Sequence, residues 1–133
     1  MTSKITYEGG LRTKALHIQS GNFIVTDAPI DNQGKGEAFS PTDLVATALA
    51  SCMLTIMGIV AERNDVELKS TTAEVEKIMG AMPRQISEIK IKIRFNKNFD
   101  KITKRKLESA ALTCPVSNSL NKNLEESIKF IYP

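Results

Sequence analysis

Two cysteines are the residues of this sequence with the most chemistry to offer. Cys52 lies in the middle of a long uncharged segment, and Cys114 directly precedes a proline. If the fold brings the two together, a thiolate could attack the O–O bond of a peroxide and become a sulfenic acid, with which the second thiol could condense to a disulfide. This cycle needs a dithiol reductant but no metal, flavin or haem. With two Cys and one His among 133 residues, a zinc site built from four Cys or His ligands is excluded.

Each cysteine also has a simpler interpretation. Cys52 is flanked by apolar and small residues and could be a small core hydrophobe. Cys114 stands at a predicted helix start, where it could be a plain cap or core residue, or where unpaired N–H groups could stabilise its thiolate. The only histidine, His17, lies in a predicted strand and is expected to be structural or on the surface. A reactive thiolate would also need a cation and an acid or hydrogen-bonding group, for which the candidates are Arg12, Arg84, Asp43 and Glu37.

The uncharged segment around Cys52 is predicted to be a helix. Ser40, Pro41 and Asp43 supply a capping hydroxyl, a proline at the first helical position and a carboxylate three residues after the cap. Residues 44–61 then run for 18 positions without a charge, which is at the margin for a membrane span. Strands and loops surround the segment, so a helix buried in a soluble core is favoured over membrane insertion. Because one short chain can hardly surround such a helix, burial against a second subunit is expected.

Short strands are predicted on both sides of this helix: three within residues 4–26, then one each over residues 70–79, 86–96 and 125–132. A turn at Gly9-Gly10 separates the first two strands, and residues 27–39 form a loop. In residues 86–96, isoleucines alternate with charged residues, which indicates a sheet that is antiparallel or at least open to water on one side.

A second helix is predicted from Asp100 to Thr113, because Pro115 pushes the residue before it out of the α region. A short helical turn follows Cys114. The elements together predict one α+β domain over residues 1–133. The core face of the second helix is expected to carry Ile102, Leu107, Ala110 and Ala111.

Composition and charge narrow the class of partner. The net charge is +3 and only 5% of residues are aromatic, so stacking platforms for nucleic acid are scarce and no nucleic-acid partner is expected. The first ten residues, MTSKITYEGG, contain no apolar signal segment, so a cytoplasmic address is expected. In that compartment, free or redox-active thiols are more common than structural disulfides.

The segment FSPTDLVATALASCMLTIMGIVAERN at residues 39–64, followed by CPVSNSL at residues 114–120, resembles the OsmC/Ohr family of thiol-dependent hydroperoxide reductases. The order of the other elements fits as well, so the resemblance covers essentially the whole chain. It implies an α+β homodimer of intertwined subunits, with antiparallel sheets wrapped around the central Cys-bearing helices and the site at the dimer interface. It implies Cys52 as the peroxidatic thiol and Cys114 as the resolving thiol. Organic, often lipid-like, hydroperoxides would be the substrates and lipoyl-type dithiols the reductants, without a bound cofactor.

Two supporting positions of the family pattern need attention in this chain. The family has a glutamate ten residues before its first Cys, where this chain has Thr42, and the nearest carboxylate is Asp43. The family arginine follows a Gly-Gly-like turn, which Arg12 in GGLRTK matches, and Arg84 stays open as the alternative arginine. Glu37 stays open as the alternative to Asp43 for the carboxylate. The motif SPTDLVATALASC resembles branches of the family that depart from the glutamate pattern described above. The alternative function is therefore a non-catalytic dimer that binds a small molecule or senses redox state.

Overall fold

The chain folds into six strands and three helices, arranged in two compact units. The computed structural model describes residues 1–133, and the units are Met1–Val45 and Ala46–Pro133. The predicted α+β class is confirmed, whereas one domain over residues 1–133 stays a prediction. The elements in chain order are β1 (Ser3–Gly9), β2 (Arg12–His17), β3 (Phe23–Asp27), α1 (Pro41–Arg63), β4 (Thr72–Ala81), β5 (Arg84–Arg94), α2 (Lys101–Leu112), α3 (Pro115–Ser119) and β6 (Glu125–Ile131).

The first unit contains an antiparallel sheet in the order β1-β2-β3. The predicted turn at Gly9-Gly10 is confirmed, and both glycines adopt positive φ, which a residue without a Cβ does at little cost. Strand partners that stand directly opposite share a face, so Ile5, Tyr7, Ala15 and Ile24 form one side of the sheet. We call these four residues the apolar face of the first sheet. Ile5 and Tyr7 are 64% and 63% exposed, so this face is uncovered within the chain.

The second unit packs helices against a sheet in the order β4-β5-β6. The alternation predicted for residues 86–96 is confirmed, since Ile89, Ile91, Ile93 and Phe95 are all buried. The strands β4 and β5 pair antiparallel, but β6 runs parallel to β5. The expectation of antiparallel sheets therefore fails for β6, because the chain returns to the sheet through α2 and α3, and such a crossover delivers a parallel strand.

Helix α1 begins as predicted, with a reciprocal cap at its first turn. The Asp43 backbone N–H donates to the Ser40 hydroxyl and the Ser40 backbone N–H donates to the Asp43 carboxylate, both at 3.0 Å. By length and composition alone the helix could span a membrane, but a core helix of a soluble protein has the same properties. One side of it is buried in this chain, and Ile59 remains exposed on another.

Helix α2 begins at the predicted cap, where the Thr103 backbone N–H donates to the Asp100 carboxylate at 2.7 Å. Leu107 and Ala111 are buried as expected, but the assignment of Ile102 to the core is wrong, because that residue is 67% exposed. The reason is angular: Leu107 and Ala111 are four residues apart and share a stripe, whereas Ile102, five residues before Leu107, lies about 140° around the helix.

Candidate active site

The two cysteines meet in the second unit. Cys52 stands mid-way along α1, half-buried beside the core, and Cys114 is completely buried at the residue that caps α3. Both are free thiols, and the Cys52 side chain is close enough to influence the pKa of the Cys114 thiol. Two neighbouring thiols, one of them accessible, can be linked by a disulfide once the accessible sulfur is oxidised.

The protonation of Cys114 is set by its burial. Removal from water raises the pKa of the Cys114 thiol, and the neighbouring Cys52 adds to this rise. The Ser117 backbone N–H, which donates to the Cys114 sulfur at 3.4 Å, acts in the opposite direction but is the smaller effect. The position of Cys114 at a helix start predicts a lowered pKa. However, α3 has only five residues, and the effect of desolvation on the pKa is larger. Cys114 is therefore a neutral thiol at neutral pH.

A carboxylate supports the loop that holds Cys114. The Ser117 hydroxyl donates to the Glu126 carboxylate, with Oγ at 2.8 Å from Oε1 and 3.0 Å from Oε2. Glu126 lies on β6 directly opposite Ile89, on the side of the sheet that faces the core. No motif in the sequence predicted this pair. The available signal was an acidic residue at an inward position of the alternating strand.

In the first unit, Arg12 is held by a buried carboxylate that the sequence analysis also missed. Its Nε and Nη2 atoms donate to the two Asp27 oxygens at 2.7 and 2.8 Å, and Nη2 lies 3.4 Å from Glu37 Oε2. Asp27 is 1% exposed and also accepts the Glu37 backbone N–H at 3.2 Å. The two hydrogen bonds from Arg12 hold the pKa of the Asp27 carboxyl below its ordinary value, and the same contact raises the pKa of Arg12.

This arrangement gives a permanently charged guanidinium with a fixed direction. The Arg12 side chain remains 37% exposed, so part of its fork is available to another anion. Arg12 and Asp27 stand directly opposite each other on β2 and β3. The sequence signal for this pair was the turn at residues 20–22, because counting outward from it along both strands places Arg12 opposite Asp27.

The other predicted site residues have these positions. Asp43 lies in the cap of α1, Glu37 lies beside Arg12, and Arg84 is exposed at the first residue of β5. Their roles toward a thiolate stay predictions. His17 is exposed and its Nδ1 lies 2.6 Å from the Ser20 hydroxyl oxygen, which confirms its expected surface position. No group of three or more His, Cys, Asp or Glu side chains is close enough to hold a metal ion.

Comparison with known proteins places the chain in a family. The sequence model of the family described as OsmC-like protein matches residues 34–129. No curated protein sequence matches the chain. A crystal structure from Psychrobacter arcticus 273-4, of a protein named for osmotic stress induction and a detoxification response, is 55% identical with a TM-score of 0.95. The match covers 98% of this chain and 95% of that one.

More distant structures share the fold. An organic hydroperoxide resistance protein OsmC from Legionella pneumophila is 18% identical with a TM-score of 0.76, covering 98% of this chain and 97% of that one. An organic hydroperoxide resistance protein from Elizabethkingia anophelis is 17% identical with a TM-score of 0.76, covering 100% and 97%. The architecture is thus the OsmC fold. Since the family model covers well over half of its residues, the chain belongs to the OsmC-like protein family.

Proposed function

We propose that this protein reduces organic hydroperoxides with its two cysteines. The observation that carries the proposal is the proximity of half-buried Cys52 to buried Cys114 in a chain of the OsmC-like family. The Cys52 thiolate attacks one peroxide oxygen, so that an S–O bond forms and the O–O bond breaks. The alkoxide leaves, takes up a proton and becomes the alcohol, while Cys52 becomes a sulfenic acid.

The second step closes the disulfide. Cys114 loses its proton and attacks the Cys52 sulfur, the S–O bond breaks, and the hydroxide that leaves takes up a proton to become water. A dithiol of the lipoyl type then reduces the Cys52–Cys114 disulfide by thiol–disulfide exchange and becomes a disulfide itself. The burial of Cys114 suits this order, because a neutral, inaccessible thiol does not compete with Cys52 for the peroxide.

We assign to Arg12 the role of the cation that stabilises the Cys52 thiolate. Its support is the bidentate contact with Asp27, which leaves part of the guanidinium exposed and fixed in direction. Asp43 and Glu37 remain candidates for the acid that the family places as glutamate, and the contact of Glu37 with Arg12 favours Glu37.

We further propose that the working unit is a homodimer in the cytoplasm. Ile5, Tyr7 and Ile24 share one side of the first sheet and are each more than half exposed, and Ile59 of α1 is 41% exposed. A second copy of the chain would cover both. Passage through a size-exclusion column without detergent, at the volume of a dimer, is expected, whereas a requirement for detergent would favour insertion of α1 in a membrane.

The test of the peroxidase is a thiol count. Reduced protein mixed with one equivalent of cumene hydroperoxide should lose two thiols within minutes, and a lipoyl-type dithiol should restore them. Cys52→Ser should lose none, whereas Cys114→Ser should lose one and form a sulfenic acid that dimedone traps. No thiol loss in the parent protein, or equal loss in Cys52→Ser, would contradict the proposal.

One observation favours the alternative of a non-catalytic binding protein. A cavity of about 260 Å³ on the first sheet is lined by Ser3, Ala15, His17, Asn22, Phe23 and Ile24. Its volume is just under the range of about 300–1,000 Å³ typical of small-molecule pockets. A thermal shift with fatty-acid-like ligands, together with no peroxide-dependent thiol loss, would support this alternative, and the absence of any shift would count against it.

A further inference from the structure

We propose that Ser117 and Glu126 are positioning residues for Cys114, and that they act on the disulfide-forming step without touching the peroxide. The inference rests on the proposed function, because it assigns a role within the second step of that cycle. Three groups form a continuous chain of contacts. The Glu126 carboxylate accepts the Ser117 hydroxyl, and the Ser117 backbone N–H donates to the Cys114 sulfur.

Helix α3 is too short to hold the Ser117 N–H in position by itself. The helix has five residues, and such a short segment has little stability of its own. Its backbone contributes few bonds near Cys114, of which the Asn118 N–H to the Cys114 carbonyl at 3.1 Å is one. An anchor from outside the helix is therefore needed to hold the Ser117 N–H on the sulfur, and the bond from Ser117 to Glu126 supplies it.

The Glu126 carboxylate occupies an inward position of β6. On β6, Glu126 shares the inward side with Ile128 and Phe130, which pack against the core. A carboxylate at a half-buried position of an apolar layer loses hydration, and this cost is offset only by hydrogen bonds. Both Glu126 oxygens lie within hydrogen-bonding distance of the Ser117 hydroxyl, at 2.8 and 3.0 Å. Packing alone would favour an aliphatic residue there, so the acid is explained by Ser117.

The chemical consequence of this positioning concerns the deprotonation of the Cys114 thiol. Cys114 is neutral in its buried position, yet it must become a thiolate to attack the Cys52 sulfur. A Ser117 N–H that is held in position toward the sulfur stabilises that thiolate. An N–H that moves away from the sulfur does not. When the anchor is lost, the attack by Cys114 should slow and its pH profile should move to higher pH, while the reaction of Cys52 with an oxidant stays unchanged.

The test uses an aromatic disulfide in place of the peroxide. Dithionitrobenzoate forms a mixed disulfide with Cys52 and releases one thionitrobenzoate. Cys114 then attacks the Cys52 sulfur, the mixed S–S bond breaks, the Cys52–Cys114 bond forms, and a second thionitrobenzoate leaves. Stopped-flow absorbance separates the two releases, so the second rate reports Cys114 alone, whether or not the protein turns over hydroperoxides.

Ser117→Ala and Glu126→Leu should each slow the second release by about five- to tenfold, the amount expected for the loss of one hydrogen bond, and leave the first release unchanged. Glu126→Gln keeps an acceptor for the Ser117 hydroxyl and should stay within about twofold of the parent. The matched controls are Ser119→Ala, which removes a hydroxyl of the same helix that donates to the Pro115 carbonyl, and Glu125→Leu, which removes the neighbouring exposed acid.

The inference is overturned if Ser117→Ala and Glu126→Leu release the second thionitrobenzoate at the parent rate, or if the two controls slow it equally. It is also overturned if the parent protein gives no second release, because Cys114 then does not attack Cys52. If only the proposed peroxidase activity is wrong, no thiol is lost to cumene hydroperoxide. Both thionitrobenzoate releases still proceed, and the second one still depends on Ser117.

Discussion

Cys52 and Cys114 carry the same functional group in unlike surroundings. One thiol is half-exposed on the side of a long helix, and the other is enclosed at the cap of a short one. Accessibility and thiolate fraction both control the reactivity of a thiol toward electrophiles. The two cysteines should therefore react in a fixed order with any reagent that enters from solvent.

Iodoacetamide in substoichiometric amount should alkylate Cys52 at least about tenfold faster than Cys114. Burial of Cys114 and its raised pKa are the reasons. Peptide mass spectrometry over a time course measures both rates. In urea the rates should converge, which serves as the control, and alkylation of native Cys114 as fast as Cys52 would contradict the structure.

Asp27 makes the stability of the first unit depend on pH. Its pKa is lowered in the folded protein by the Arg12 hydrogen bonds, so the unfolded chain binds the proton more readily. The stabilisation is therefore complete above the ordinary carboxyl pKa, at about pH 4, and is lost as the pH falls through the lowered folded value.

Asp27→Asn should lower the urea midpoint at about pH 7 and should differ less from the parent at about pH 3, below the ordinary carboxyl pKa, because the unfolded parent chain then takes up the proton. Asp65→Asn, which removes an exposed carboxylate from a residue of positive φ that Asn also tolerates, is the matched control. A midpoint difference for Asp27→Asn that is the same at both pH values would contradict this account.

At the scale of elements, capping and periodicity allowed α1, α2 and the inward side of β5 to be predicted from sequence. These patterns are local, since each cap and each alternating residue lies within a few positions of its partner. The pairing of β6 with β5 was not predictable in the same way, because its direction depends on the path through α2 and α3. For the same reason Cys52, Cys114 and Arg12 could be nominated from motifs, but Asp27 and the Ser117–Glu126 pair could not.

In the loop between β3 and α1, the backbone at Gly34 leaves no room for a side chain. A Cβ at Gly34 would overlap the Ala28 carbonyl oxygen, so the backbone must move to accept any side chain. Gly34→Ala should lower the free energy of unfolding by about 1–3 kcal/mol, the cost of overpacking, as measured by urea denaturation.

The control for this substitution is Gly80→Ala in β4. A Cβ at Gly80 would meet the Ser87 Cβ at 3.5 Å, an ordinary contact. Alanine has the smaller entropy loss in a strand, so Gly80→Ala should change stability by less than about 1 kcal/mol and in the favourable direction. Equal losses at both positions would show that steric overlap at Gly34 is not the cause.

At the scale of the whole molecule, one chain leaves apolar surface exposed to solvent. The buried apolar residues that form the core cluster all belong to the second unit. The first unit instead presents the apolar face of its sheet to solvent. A single chain of 133 residues thus leaves part of its apolar surface exposed. This exposure supports the proposed homodimer.

Tyr7→Glu should shift the size-exclusion volume from dimer to monomer, because it places a charge on the apolar face of the first sheet. A buried, unpaired charge is strongly unfavourable at an interface. Thr6→Glu is the matched control, since Thr6 precedes Tyr7 on β1 and points to the opposite side of the sheet. A parent protein that elutes as a monomer, or a Tyr7→Glu variant that elutes as the dimer, would refute the assignment of this face.

The position of β6 after both cysteines along the chain sets an order of events during synthesis. Cys52 and Cys114 leave the ribosome before Glu126 does, so the Ser117 hydroxyl has no acceptor on Glu126 while the chain is still growing. The pocket around Cys114 is complete only after β6 has joined the sheet. Until β6 pairs with β5, the contacts from Glu126 through Ser117 to Cys114 are incomplete, so the proposed control of the disulfide-forming step arises only when this strand joins the sheet.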